Sequence, residues 1–158
     1  MEFKHLFTPI KIRGLELRNR VVFPAMATKM ISDGGYMTQR LIDYHVARAL
    51  GGNGLNIVEA TSVHAPSAPR CFLNISEDKF LPGLKQFNDA VHQAGGKTCV
   101  QLWQGGMVAT MTDPAAQMIV PSDFPISATA VVPGATVETI KEVVKAWGQA
   151  ARRAAEAG

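Results

Sequence analysis

Apolar and polar side chains alternate over residues 9–19, on both sides of Gly14. Alternation around a single glycine is typical of a short β-hairpin. The next segment, residues 20–24, is a compact run of β-branched and aromatic side chains that ends at Pro24. Such a run predicts a strand that is buried on both faces.

Helical and strand patterns then alternate along the rest of the chain. Thr38 is suited to be the N-cap of a helix that Gly51 and Gly52 end. The predicted elements that follow the first strand are a helix over 38–50, a strand over 55–60, a helix over 80–94, a strand over 97–102 and a helix that begins at 137 and ends with the chain at Gly158. Three consecutive strand-then-helix units predict a parallel sheet with right-handed connections.

Two architectures have this order of elements, an open doubly wound sheet and a closed β/α barrel. Residues 24–28, after the first strand, contain neither G-x-G-x-x-G nor G-K-[ST], which argues against a classical nucleotide site there. The segments after the strands, residues 25–37, 61–78 and 103–136, are long, whereas the turns after the helices are short. Barrels build their active sites from such long connections. We therefore expect an α/β fold, the N-terminal part of a (β/α)8 TIM barrel with a leading hairpin.

Composition and charge narrow the function classes. The chain has 158 residues, of which 47% are hydrophobic and 18% charged, as in a globular domain. The net charge is +3, but the basic residues are scattered, which argues against a nucleic-acid partner. No apolar stretch approaches the roughly 20 residues that cross a bilayer, and residues 1–5 lack the layout of a signal peptide, so we expect a cytoplasmic protein without a membrane partner. Cys71 and Cys99 lack metal-ligand spacing, and no metal site is expected.

Several short motifs, in order along the chain, carry a resemblance to one enzyme family. Residues 6–12 read L-F-T-P-I-K-I, residues 15–20 read L-E-L-R-N-R, and residues 21–26 read V-V-F-P-A-M. V-E-A follows at 58–60 and Q-L-W at 101–103. This series resembles the FMN-dependent Old Yellow Enzyme family, NADH:flavin oxidoreductases that include ene-reductases and 2,4-dienoyl-CoA reductases.

The resemblance covers nearly the whole chain. V-P-S at 120–122 is similar to a further family motif, and residues 150–158 resemble the helix that precedes the family's fourth strand. The resemblance implies that residues 1–158 are the N-terminal portion of an FMN-binding barrel domain, with the remaining strands absent from this chain.

The resemblance also implies a cofactor site and a reaction. FMN would lie at the carboxyl ends of the strands, be reduced by NADH or NADPH and be reoxidised by an electron-poor alkene as the small-molecule substrate. The Gln101 carboxamide offers both a donor and an acceptor to the flavin's pyrimidine edge, and the small Ala60 leaves room for the ring. The residues at the positions of the family's cofactor contacts are Pro24, Ala25, Met26, Ala27, Ala60 and Gln101.

The sequence departs from the family's pattern at several positions. Ala27 stands where many relatives have a Thr or Cys that hydrogen-bonds near the flavin C4 carbonyl, a bond worth roughly 1 kcal/mol; Thr28 is the nearest hydroxyl. Gln104 and Met107 stand where the family has His and Arg. The family's substrate-anchoring His pair, its proton-donating Tyr and its phosphate-binding residues are expected beyond Gly158, so the catalytic residues are not identified. An iron-sulfur cluster and FAD are expected only in a longer parent.

Three functions stay open. The first is an ene-reductase type oxidoreductase represented by its N-terminal half; the second is a stand-alone flavin-binding or oligomerising half-barrel without catalytic activity. The third, a β/α-barrel lyase or aldolase, is disfavoured by the opening motif. His64 and Cys71 lie in the segment after the second strand, and a structural role is the better interpretation of each. An open three-stranded sheet exposes its edges, which predicts a homo-oligomer.

Overall fold

The computed structural model describes residues 3–158. Met1 and Glu2 lie outside the described residues, and the signal-peptide argument and the domain prediction rest partly on them. The strands are β1 (Ile10–Ile12), β2 (Leu15–Leu17), β3 (Val22–Phe23), β4 (Leu55–Ser62), β5 (Leu73–Asn74), β6 (Lys97–Trp103), β7 (Phe124–Pro125) and β8 (Val131–Val132). The α-helices are α1 (Gln39–Leu50), α2 (Leu81–Gln93), α3 (Gly106–Thr112) and α4 (Val137–Glu156). The predicted hairpin, helices and core strands are therefore all present.

A four-stranded parallel sheet with β4 at its centre organises the fold. β3 pairs with the beginning of β4, β5 pairs with its end, and β6 pairs with β4 along most of its length. Parallel strands need crossover connections, which α1 supplies between β3 and β4, and α2 supplies before β6. This arrangement confirms the predicted parallel sheet.

The hydrophobic core lies between the sheet and the helices. Val58 of β4 is fully buried against α1 and α2. Helix α1 begins where the sequence predicts, because the Thr38 side chain accepts a hydrogen bond from the Leu41 N–H. The buried side chains that line this core include Leu41, Ile42, Val58, Leu84, Phe87 and Val91.

His45 of α1 is part of this core. Its ring is 2% exposed and lies between the rings of Phe23, Tyr44 and Phe87, with centroid separations of 5.6, 5.5 and 5.1 Å and nearly perpendicular planes. Burial lowers the pKa of His45 to about 4, so the ring is neutral at physiological pH. His45 therefore contributes to packing rather than to chemistry.

The β1–β2 hairpin lies at the amino ends of the parallel strands. The Nε of Arg18 donates to the carbonyl of Asn53 at 3.1 Å, and the Nδ2 of Asn19 donates to the carbonyl of Gly52 at 2.6 Å. Both carbonyls belong to the turn that leads from α1 into β4. The residues that follow the hairpin are therefore held at the amino end of β4, opposite to the strand ends where the candidate site is expected.

The prediction that the first core strand is buried on both faces is wrong. Phe23 packs against α1, but Val22 is 43% exposed. Val22 pairs with Leu55, which in turn pairs with Lys97, so these three side chains lie on the inner face of the sheet. That face is open because the described strands do not close into a barrel.

Three features of the long connections were not predicted. These are the short strand β5, the helix α3 and the β7–β8 hairpin. Two-residue strands and a two-turn helix are too short to produce a recognisable periodicity in the sequence. Within residues 3–158, no helix combines the length and the apolar character that a membrane crossing requires.

Candidate active site

A β-bulge shapes the carboxyl end of the central strand. Val58 pairs with Val100 and Thr61 pairs with Leu102, so two residues of β4, Glu59 and Ala60, stand opposite the single residue between the partners on β6, Gln101. A bulge leaves one residue outside the regular ladder and redirects the neighbouring side chains, which is why bulges are frequent beside active sites. The bulge brings the predicted site residues Ala60 and Gln101 side by side.

The connection after β3 is fastened to this bulge through Glu59. The backbone N–H of Thr28 donates to Oε2 of Glu59 at 2.9 Å, and the Thr28 hydroxyl donates to the same oxygen at 2.6 Å. Glu59 is 1% exposed, and its other oxygen, Oε1, has no hydrogen-bond partner among the described residues. Residues 24–28 therefore lie at the same end of the sheet as Ala60 and Gln101.

Several backbone and side-chain polar groups of the predicted site are available to bind a ligand. In the described part of the chain, the backbone N–H groups of Ala25, Met26 and Ala27 donate no hydrogen bond, and the Gln101 carboxamide has no side-chain partner. Met26 is 53% exposed and Gln101 is also exposed. Unpaired donors beside the small Ala60 make a surface that can bind a flat ring with hydrogen-bonding edges.

The predicted site residues lie outside four cavities of the described structure. Four cavities of about 420, 240, 300 and 380 Å³ in the described structure are lined by other residues. Pro24, Ala60 and Gln101 instead lie at the ends of adjacent strands on the open inner face. This chain would therefore cover only one side of a ligand bound there.

Beside the site, stacked side chains join two connections to the end of β6. The ammonium of Lys29 lies 4.0 Å from the centre of the Phe72 ring, which stacks on Trp103 at 4.7 Å. The same ammonium lies 3.3 Å from both the carbonyl oxygen and the sulfur of Cys71. Lys29 adopts φ 58°, an uncommon conformation for a residue with a side chain. This stack fixes the segment that follows Thr28, and sequence patterns gave no indication of it.

His64 has partners that the sequence could not reveal. Its ring is 4% exposed; Nδ1 lies 2.9 Å from the hydroxyl of Ser67, and Nε2 lies 3.3 Å from Oε1 of Glu142 on α4. Gln104 donates from Nε2 to the Ser67 hydroxyl at 3.2 Å. Ser67 itself is 2% exposed, so this network ties α4 to the connection after β4 and offers no accessible nucleophile.

Comparison with known proteins identifies the family. The chain matches the model of the NADH:flavin oxidoreductase / NADH oxidase family over residues 5–158. The chain belongs to this family. Among similar relatives, the NADH oxidase of Thermoanaerobacter brockii is 38% identical over 157 residues, and the NADPH dehydrogenase of Listeria monocytogenes serotype 4a is 35% identical over 156 residues. These alignments cover 96% and 97% of the chain, but 24% and 45% of the relatives.

Solved structures of similar fold support the same assignment to the NADH:flavin oxidoreductase family. The Old Yellow Enzyme from Pichia sp. AKU4542 matches with a TM-score of 0.84 and 28% identity, over 96% of this chain and 43% of that one. Morphinone reductase in complex with tetrahydroNAD matches with a TM-score of 0.81 and 27% identity, over 97% of this chain and 47% of that one. The resemblance to Old Yellow Enzyme and the predicted partial barrel are thereby confirmed. The chain spans about a quarter to a half of the length of the proteins it matches.

Proposed function

We propose that the protein is an FMN-dependent oxidoreductase that passes hydride from NADH or NADPH through FMN to an activated C=C bond. This chain would supply one side of the flavin site. The observation that carries the proposal is the bulge in β4, which brings Ala60 beside Gln101 at the carboxyl ends of parallel strands. Relatives named NADH oxidase and NADPH dehydrogenase support a nicotinamide reductant. The likeness to an Old Yellow Enzyme and to morphinone reductase supports an alkene as the electron acceptor.

The residues present at the strand ends fit FMN. The free N–H groups of residues 25–27 and the carboxamide of Gln101 would hold the polar edge of the ring. Ala60 would let the ring approach the backbone of β4, since its side chain ends at Cβ. When bound, FMN supplies the hydride chemistry, and the protein orients it and excludes competing reactions.

The residue at position 27 limits which groups can donate hydrogen bonds at the proposed site. Ala27 carries no side-chain donor, and the proton of the neighbouring Thr28 hydroxyl is donated to Glu59. On this side of the site, only backbone N–H groups would therefore donate to the cofactor. Residues that anchor a substrate and deliver a proton are proposed to lie outside this chain.

Flavin binding and reduction test the proposal directly. The purified protein is titrated with FMN while flavin fluorescence is recorded, and the complex is then mixed with NADH or NADPH without oxygen. We expect saturable binding, loss of the visible flavin absorption band, and its return when an electron-poor alkene is added. An absence of FMN binding would overturn the proposal.

A second candidate function is a flavin-binding half-barrel without reductase activity of its own. It is favoured by one observation, that the predicted cofactor contacts Ala60 and Gln101 lie side by side at the strand ends, whereas none of the described residues is assigned a catalytic role. For this candidate, FMN binds but neither NADH nor NADPH bleaches the flavin band. The same titration therefore separates the two functions.

The remaining partners and the location are also proposals. We propose a small-molecule substrate, self-association into a homo-oligomer, and a cytoplasmic location. Light scattering of the purified protein tests the association, and fractionation of the cells that produce it tests the location.

A further inference from the structure

Glu59 is a buried acidic residue to which neither the sequence motifs nor the proposed function assigns a role. It occupies the bulge of β4 directly before Ala60, and only 1% of the residue is exposed. Its Oε2 accepts two hydrogen bonds from Thr28, 31 residues earlier, and Oε1 accepts none from the described residues. No described Lys, Arg or His forms an ion pair with Glu59.

Burying such a carboxyl group is unfavourable unless its hydrogen bonds offset the loss of water. The hydroxyl bond from Thr28, at 2.6 Å, has the length expected for a strong bond to a carboxylate oxygen. The Thr28 hydroxyl also accepts a hydrogen bond from the Met30 N–H at 3.2 Å. One glutamate oxygen therefore holds the backbone and the side chain of Thr28, and through Thr28 the following turn.

We propose that Glu59 is a positioning residue that fixes residues 24–28 against the β4 bulge and thereby sets the affinity of the cofactor site. The inference rests on the proposed function, because the segment that Glu59 holds is the one proposed to lie along FMN. Glu59 acts through Thr28: the free N–H groups of Ala25, Met26 and Ala27 keep one position only while Thr28 is bound. A site whose donors are fixed before binding loses less entropy when the ligand binds.

Paired substitutions isolate the hydrogen bonds from general packing. Glu59→Leu removes the acceptor, whereas Glu59→Gln keeps an oxygen that can accept both bonds. Thr28→Val removes the hydroxyl, and Thr28→Ser restores it. Val91→Ala, in the fully buried part of α2, serves as the control that lowers stability without contact to the site.

Amide hydrogen exchange without cofactor is the first measurement. In Glu59→Leu we expect the Thr28 and Met30 amides to exchange at least about tenfold faster than in the unaltered protein, as expected when a hydrogen bond is lost. In Glu59→Gln and in Val91→Ala the rates of these two amides should stay close to those of the unaltered protein. A Thr28 amide that exchanges at the unaltered rate in Glu59→Leu would overturn the inference.

Titration with FMN is the second measurement. We expect Kd to rise about tenfold in Glu59→Leu, which removes both bonds to Thr28, and by a smaller factor in Thr28→Val, which keeps the bond from the backbone N–H. The double variant should bind FMN no more weakly than Glu59→Leu, because Glu59→Leu already removes the bond that Thr28→Val removes. Glu59→Gln, Thr28→Ser and Val91→Ala should keep Kd within about threefold of the unaltered value. If the unaltered protein binds FMN and Glu59→Leu binds it equally well, the positioning role is wrong. If the unaltered protein binds no FMN, the proposed function fails, and the exchange rates still decide whether Glu59 fixes Thr28.

Discussion

Gln101 on β6 lies beside the bulged residue Ala60 on β4, because two residues of β4 face one residue of β6 at this level of the sheet. The carboxamide has no hydrogen-bond partner among the described side chains, and it is exposed on the open inner face. A free amide next to a residue without a long side chain is suited to bind a planar ring by its edge.

Gln101→Leu should weaken FMN binding by about tenfold or more, since it removes two hydrogen bonds worth roughly 1 kcal/mol each. Fluorescence titration with FMN measures the change. Gln93→Leu, at the exposed end of α2, is the matched control and should leave Kd unaltered. If Gln101→Leu and Gln93→Leu bound FMN with equal affinity, Gln101 would not be part of the proposed site.

Ala27→Thr should raise the two-electron potential of bound FMN by roughly 20 mV, which corresponds to one added hydrogen bond of about 1 kcal/mol. The added hydroxyl would stabilise the more electron-rich, reduced ring. Ala27 is exposed, so the larger side chain can be accommodated. The potential is measured by dye-linked reduction. Ala115→Thr, in an exposed connection, is the control, and an identical potential for both variants would contradict the prediction.

The burial of His45 should make stability depend on pH. Its folded pKa of about 4 lies below the unfolded value of 6.5, so the unfolded chain binds the proton first as the pH falls. The free energy of unfolding should therefore be highest above pH 6.5. It should decrease by on the order of 3 kcal/mol as the pH falls to 4. Urea unfolding at several pH values measures this slope.

His45→Leu is the comparison for that measurement. The leucine side chain does not titrate, so the decrease between pH 6.5 and pH 4 should become markedly smaller, whatever the absolute stability of the variant. A slope that is the same in both proteins would assign the pH dependence to other groups.

Arg153 should stabilise the attachment of α4 to the rest of the fold. Its side chain is largely buried, and Nε donates to Oδ1 of Asp78 at 2.6 Å. Arg153→Met should lower the free energy of unfolding by about 1 to 2 kcal/mol. Arg152→Met removes a half-exposed arginine that contacts the same carboxylate, and should change stability by at most about 0.5 kcal/mol. Thermal unfolding compares the stabilities of the two variants. Equal losses of stability in Arg153→Met and Arg152→Met would contradict the prediction.

An uncovered apolar stripe on α4 should promote self-association of this chain. Val137, Ile140, Val144 and Trp147 are between 39% and 65% exposed and recur at helical spacing. Val144→Glu should shift the mass found by light scattering towards the monomer, whereas Ala151→Glu on the same helix should not. A monomeric unaltered protein would contradict this prediction.

The sequence by itself determined the leading hairpin, the core strands and the long helices, with their order. Thr38 and Gly51 bound α1 because caps act on the few nearest backbone groups, and long periodic segments predicted α2, α4, β4 and β6. The strand-then-helix order required a parallel sheet, and short motifs were enough to recognise the family. The same motifs predict that Ala60 and Gln101 contact the cofactor. All of these depend on residues that are close together in the chain.

Only the tertiary structure decided the details of the site. The bulge at Glu59 depends on the register between β4 and β6, which apolar patterns do not define where several registers bury similar side chains. The bond from Thr28 to Glu59 joins residues 31 apart, and that from His64 to Glu142 joins residues 78 apart. The exposure of Val22 depends on which strands face it across the sheet. Contacts of this kind arise when distant segments pack together, so their physical origin lies in the assembled fold.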